Sequence, residues 1–243
     1  MKAPIHRLLY HTLPLEGYLR VVSRMFFLWQ RLGIGRYAPA TEYVYHLPQL
    51  VHEGDTCIDI GANLGYYART ISRLAGTSGR VLAVEPVAPI RKVLSRNLRR
   101  CSNVEILPYA LGAENRDVAM GNDSARKNGY LGTGQNFVND SGERTDVEFT
   151  ARMRRGSELF ARLERLDFIK CDIEGYELTV MREMRSLLER FHPTALIETG
   201  GGNRSEIIRL FTALGYRGFT LDHGGEIPLT PESTKDIIFR HAH

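Results

Sequence analysis

Apolar runs of four or five residues alternate along most of this chain with longer stretches whose apolar positions recur every three to four residues. The short runs are the pattern of strands buried on both faces, and the longer ones that of amphipathic helices. In chain order the pattern predicts strands at 56–60, 81–84, 104–107, 168–171 and 195–197. Helices are predicted at 66–74, 89–98, 177–188 and 205–214, with Pro86 and Pro89 at the start of the second and Gly215 ending the last. Segments 216–221 and 236–239 can form a terminal strand pair. Alternation of this kind predicts a doubly wound, mainly parallel α/β sheet.

The rhythm breaks between 121 and 146, which is rich in Gly, Asn, Asp and Ser. Beyond it Val147, Phe149, Ala151 and Met153 alternate with Glu148, Thr150, Arg152 and Arg154. That period of two describes a half-exposed strand, hairpinned with the short run at 118–120. A long irregular segment inside an α/β domain is usually functional or disordered. Tyr130, between Gly129 and Gly132, is the side chain there best placed to touch a substrate.

Ahead of the first strand, Leu15 to Leu32 holds Leu19, Val21, Val22, Met25, Phe26, Phe27, Leu28 and Trp29, with Arg20, Arg24 and Arg31 spaced among them. The arginines interrupt the run of about 18 apolar residues that a spanning helix needs, and a signal peptide would not carry them inside its apolar region. The expected organisation is a basic, apolar helical extension over 1–50 and one α/β domain over 51–243. The extension is either a helix laid over the sheet or the ligand site, or one that rests at an anionic membrane surface.

Composition adds little to the fold and more to the partners. An apolar fraction of 43% and a charged fraction of 25% are those of an ordinary globular protein. The formal net charge is +4, yet Lys2, Arg7, Arg20, Arg24, Arg31 and Arg36 against Glu16 give residues 1–36 a balance of +5. The remainder is close to neutral, which argues against a nucleic-acid partner. Cys57, Cys101 and Cys171 are in no metal-ligand spacing and read as reduced core thiols, so a cytoplasmic protein is expected, peripheral to a membrane if the extension docks on one.

Candidate chemistry begins at CIDIGANLGYY, residues 57–67. A strand ending near Asp59 runs into a loop with Gly61 and Gly65, and Glu85 closes the next strand 24 residues past Gly61. A carboxylate at that point of a βαβ unit can accept both hydroxyls of a ribose. The loop reads GxxxG, with Asn63 where a pyrophosphate loop wants a small residue, so a diphosphate is disfavoured. A cationic or zwitterionic nucleoside such as S-adenosylmethionine suits it better, with Asp59 to hold an amino group. The second constellation is FIKCDIEGYE, with Lys170, Asp172, Glu174 and Glu177 at and just past the end of a strand, where open α/β sheets bind ligands. Such a cluster is either a working site or a set of helix-capping acids.

DIGANLGYY, VEP at 84–86, ALG at 110–112, FIKCDIEGYE and LIE at 196–198 together resemble the FkbM family of S-adenosylmethionine-dependent methyltransferases. The resemblance implies a class I methyltransferase fold, Rossmann-like, with a seven-stranded sheet ending in a reversed hairpin, and O-methylation of hydroxyls on sugars or secondary metabolites. Carried over by position, Asp59, Gly61, Asn63 and Gly65 lie near the methionine end of the cofactor, Glu85 holds the ribose, and Tyr109 and Ala110 flank the adenine. Tyr66, Pro86 and Asp172 complete the cofactor set. Glu174 and Asp172 are the candidate bases, Lys170 orients them, and Glu198 is a second acid at the neighbouring strand end. No motif demands a metal ion. The expected acceptor is a small molecule, a glycan or a lipid-linked glycan. Two other readings stay open from the residues, a non-catalytic nucleoside-binding protein at a membrane surface and an RNA methyltransferase.

Overall fold

The computed structural model describes residues 3–200 and 202–242, so Lys2 and His243 lie outside the described residues. Two helices, α1 (Ala3–Thr12) and α2 (Leu15–Arg31), lead through the short α3 (Glu42–His46) into the alternating part of the chain. There β1 (Thr56–Ile60), α4 (Ala68–Ala75), β2 (Arg80–Val84), α5 (Ala88–Asn97) and β3 (Val104–Leu107) follow in order. The chain then leaves the sheet for β4 (Tyr109–Leu111), β5 (Arg116–Asn122), α6 (Ser124–Asn128), β6 (Phe137–Val138), β7 (Val147–Arg154) and α7 (Gly156–Leu159). It returns with β8 (Phe168–Cys171), α8 (Glu177–Glu183), α9 (Arg185–Phe191), β9 (Thr194–Ile197), α10 (Arg204–Ala213), β10 (Tyr216–Asp222), β11 (Gly225–Pro228) and β12 (Ile237–His241).

The main sheet has the order β11-β10-β12-β9-β8-β1-β2-β3. The five strands from β9 to β3 are parallel, and β12, β10 and β11 join through antiparallel pairs. The seven strands from β10 to β3, with the reversed terminal pair, are the sheet implied by the family resemblance. An eighth, β11, is added at the edge because the chain after β10 turns at once and pairs back on it. Central strands read as continuous apolar runs because helices cover both faces. Ile58, Ile60, Ile169 and Ile197 pack against Val180, Met181 and Leu188 on one side. Cys57, Phe168 and Leu196 pack with Ile71, Val44 and Leu47 on the other.

The expected helix over 177–188 is two helices. The chain bends at Met184, which is fully buried against Gly156, while Glu183 accepts hydrogen bonds from the Ser157 backbone N–H and hydroxyl. The interruption between 121 and 146 carries α6 and β6. It belongs to a separate four-stranded sheet, β4-β7-β5-β6, in which β5 and β7 form the expected hairpin.

The extension is laid across the molecule. Tyr18 and Leu19 of α2 are buried, and Glu16 bridges Lys92 and Arg96 on α5. The Tyr18 hydroxyl donates to the Leu131 carbonyl at 2.9 Å and lies 3.0 Å from His6 Nδ1. Arg7 donates to the Asn128 carbonyl at 2.6 Å. The extension therefore clamps the inserted segment onto the body. Among the described residues, no helix is long and apolar enough to cross a membrane.

Candidate active site

The carboxyl ends of β1, β2 and β8 meet at one cleft of about 600 Å³ including its open mouth. At β1 the chain turns at Gly61, whose φ is +80°. A Cβ there would sit 1.9 Å from the Asp172 carbonyl oxygen, so the close approach of two backbones requires this glycine. Gly65 has a different task from the one expected of it. It makes room for Leu94 and Leu98 of the α5 region and is not part of the cleft wall.

Glu85 ends β2 at the cleft. Its two oxygens accept hydrogen bonds from the Asn63 and Val87 backbone N–H groups, each at 2.9 Å, and burial pushes its carboxyl up to about 7. Pro86, Tyr109 and Ala110 continue the wall, and Met120, Asn136 and Val138 of the inserted segment close it. Asn63 also lines the cleft, and its side-chain oxygen is buried with no hydrogen-bond partner. A buried acceptor left unpaired costs free energy unless a donor arrives with a ligand.

Asp59 is not at the cleft. Register sets it beside Lys170 of β8, and it is wholly buried, with both oxygens lacking a hydrogen-bond partner. Burial pushes its carboxyl up to about 6, against the pull of the Lys170 ammonium 4.0 Å away. The side chain expected to meet a ligand amine thus faces the Lys170 ammonium within the sheet. That ammonium is buried, stands 4.6 Å from the centre of the Tyr67 ring and donates to Asp172 at 2.7 Å. Burial would lower its pKa, but Asp172 and Asp59 raise it, so the ammonium stays charged.

Past β8, Glu174 takes a left-handed φ of +56° and Gly175 one of +98°. Glu177 is the buried cap of this turn, accepting from the Ile173 N–H at 2.8 Å and the Gly175 N–H at 3.0 Å. It is thereby separated from the acids with which it shares a motif. One carboxylate oxygen from each of Asp172, Glu174 and Glu198 lies within 4.8 Å of the other two. Burial opposes ionisation of Asp172, but Lys170 and a hydrogen bond from Glu198 hold its pKa below the usual range. Burial and the Asp172 charge push Glu198 well upward, so Glu198 keeps its proton. Glu174 is raised to about 7 by partial desolvation and by the charges of Asp172 and Glu177. Three oxygen donors of this kind suit a divalent cation, although the Lys170 ammonium already supplies the compensating charge.

A second chamber shares Asp172, Glu174 and Gly134 with the cleft. Glu198, Asp236, Tyr66 and Tyr67 line it from the body, and Phe26 and 39–41 line it from the extension. Tyr66 therefore belongs to this chamber, with its ring centre 4.1 Å from that of Phe26. Tyr130 lines neither space. It stacks on His6 at 4.7 Å, and Thr133, Gly134 and Gln135 are the nearby residues that reach the two spaces. Asp236, raised to about 6 by burial and by Asp172, was not foreseen from the sequence. It lies just before β12 in no motif. Tyr67 was signalled only as the neighbour of Tyr66.

The family model described as the methyltransferase FkbM domain matches residues 59–217. Among curated proteins none matches. Among solved structures, methyltransferase FkbM from Methylobacillus flagellatus is 14% identical with a TM-score of 0.51, over 97% of this chain and 58% of that one. This chain thus spans little more than half the length of that relative. An rRNA methylase from Streptococcus thermophilus is 11% identical with a TM-score of 0.49, over 84% of this chain and 97% of that one. Aeropyrum pernix fibrillarin, solved with natively bound S-adenosyl-L-methionine, is 16% identical with a TM-score of 0.45, over 78% of this chain and 67% of that one. These are likenesses of fold.

Proposed function

The chain belongs to the FkbM methyltransferase family, and from that premise we propose that it methylates a hydroxyl of a polyhydroxylated acceptor: a sugar, a lipid-linked glycan or a secondary metabolite. The observation that carries this reading is the junction of the two spaces at Asp172 and Glu174. One has the form of a nucleoside cleft. The other is walled by carboxylates and aromatic rings, which suit hydroxyl donors and the apolar faces of sugar rings.

When bound, S-adenosylmethionine supplies an electrophilic methyl group on a sulfonium. The cleft fits it, since Glu85 offers acceptors for ribose hydroxyls and the unpaired Asn63 oxygen offers one for the amino group. The acids divide the remaining work. Glu198 holds a proton and Asp172 is committed to Lys170, which leaves Glu174 to take the proton of the acceptor hydroxyl. Asp59 keeps Lys170 charged and is a positioning residue. Phe26 and Tyr66 give the chamber an aromatic wall.

Two experiments test the reading. In thermal unfolding, S-adenosylmethionine and S-adenosylhomocysteine at a hundred times their dissociation constants should add about 2.7 kcal/mol, and NAD should add nothing. Glu85→Ala should abolish the shift. Labelled methyl donor is then supplied with separate glycan, lipid and RNA fractions. Label entering the glycan or lipid fraction and resisting mild base, as a methyl ether does, supports O-methylation of a hydroxyl. Label confined to RNA would replace this reading with the RNA methyltransferase. Membership of a methyltransferase family already speaks against a non-catalytic nucleoside-binding protein.

A further inference from the structure

A groove of about 2000 Å³ including its open mouth runs between the C-terminal half of α2, helix α4 and the turn before β3, sharing no residue with the cleft and only Val44 with the acceptor chamber. Arg31, Arg36, Arg69, Arg73 and Arg100 line it, and no carboxylate does. Among the described residues none of these five enters a salt bridge. Arg69 rests on the Phe27 ring at 4.6 Å and Arg36 lies 6.0 Å from that of Tyr45, so aromatic rings hold two guanidinium groups without neutralising them. Five positive charges exceed the net charge of the whole chain, which is +4.

The neighbouring surface is apolar. Seven large hydrophobic side chains are exposed among the described residues, and four of them fall between positions 28 and 37. They are Leu28, Leu32, Ile34 and Tyr37, at 54%, 63%, 53% and 66% exposure. Leu28 itself lines the groove. A polyanion such as RNA would answer the arginines and leave these side chains in water. The surface of an anionic phospholipid bilayer answers both, with phosphates for guanidinium groups and the acyl boundary for Leu32 and Ile34.

We propose that this surface docks the protein on an anionic phospholipid bilayer, with headgroup phosphates in the arginine groove and residues 28–37 entering the interface. Val44 walls both the groove and the acceptor chamber, and 39–41 line that chamber as well. A bilayer at the groove is therefore next to the chamber, which suits a lipid-linked acceptor. That last consequence rests on the methyl-transfer reading, whereas docking does not.

The test is co-sedimentation of the full-length protein with phosphatidylcholine vesicles with and without phosphatidylglycerol, beside retention of an RNA oligonucleotide. Binding is expected only to the anionic vesicles and should weaken with salt. Replacing Arg31, Arg73 and Arg100 by Ala should weaken it about fivefold per arginine. Leu32→Ser with Ile34→Ser should also weaken it, while each variant keeps its thermal shift with S-adenosylmethionine as evidence of folding. Absence of binding to anionic vesicles overturns the proposal, and so does binding indifferent to Leu32→Ser and Ile34→Ser. RNA retention that tracks the arginines alone would assign the groove to nucleic acid. No acceptor is needed for these measurements, so failure here leaves the proposed reaction standing.

Discussion

Glu174 is the residue at which strain, charge and position coincide. A non-glycine side chain in the left-handed region costs on the order of 1 kcal/mol, and such strain gathers at working sites. The turn is held there by Glu177, whose carboxylate binds the backbone on both sides of Glu174. The sequence offered Glu174 and Asp172 as candidate bases, with Lys170 orienting them and Glu198 as a second acid, but did not choose between the two bases. The choice comes from which acid touches which cation. With Glu174 raised to about 7, kcat/KM should climb as pH rises through 7 on a single acidic limb, since only the carboxylate accepts a proton. Glu174→Gln should lower turnover by roughly two to four orders of magnitude, remove that limb and leave cofactor affinity nearly intact. Unchanged turnover would remove Glu174 from the chemistry.

At the scale of elements, the turn from β1 into α4 is the least replaceable join. Gly61 faces the carbonyl of Asp172 across a gap that leaves no room for a methyl group. Gly61→Ala should destabilise the protein by about 2 kcal/mol or more, because a positive φ and a clash with rigid backbone add together. Denaturant unfolding reads this directly, and an unchanged midpoint would show that the two loops can part. Gly65 and Asp59 show the limit of motif reading. Both stand in the expected string, yet one packs helix α5 and the other is sealed under Lys170. Tyr130 was assigned by its flanking glycines, yet its ring stacks on His6 of α1 while Asn128 and Leu131 are held by Arg7 and Tyr18.

Across the whole molecule, several buried carboxyls are raised together. Asp59 and Asp236 stand at about 6 and Glu85 at about 7, each chiefly through burial. A group whose folded pKa exceeds its unfolded value binds more protons when folded, so stability falls as pH rises through that interval. The lowered acids Glu16, Asp140, Asp172 and Glu226 act in the opposite sense only below the ordinary carboxylate range, and His6, lowered by burial, is a single group opposing the trend below its ordinary value. The melting temperature of the ligand-free protein should therefore decline between about pH 4.5 and 7. A rise over that window would mean that these acids are relieved by water or by movement of the cleft.

The sequence by itself determined the alternation of strands and helices, the mainly parallel sheet and the placing of Glu85, Tyr109, Asp172 and Glu174 at strand ends, and its motifs carried the resemblance that implied the family and the reversed last pair. Those follow from hydrophobic period and from residues adjacent along the chain, which are local properties. Tertiary structure alone decided that Asp59 faces Lys170, that Asp236 joins the acids, that 132–136 and Val138 rather than Tyr130 reach the site, and that five arginines share one groove. Each of these depends on strand register or on the packing of distant segments. Such relations arise from contacts between chain positions far apart, and no spacing within a single segment encodes them.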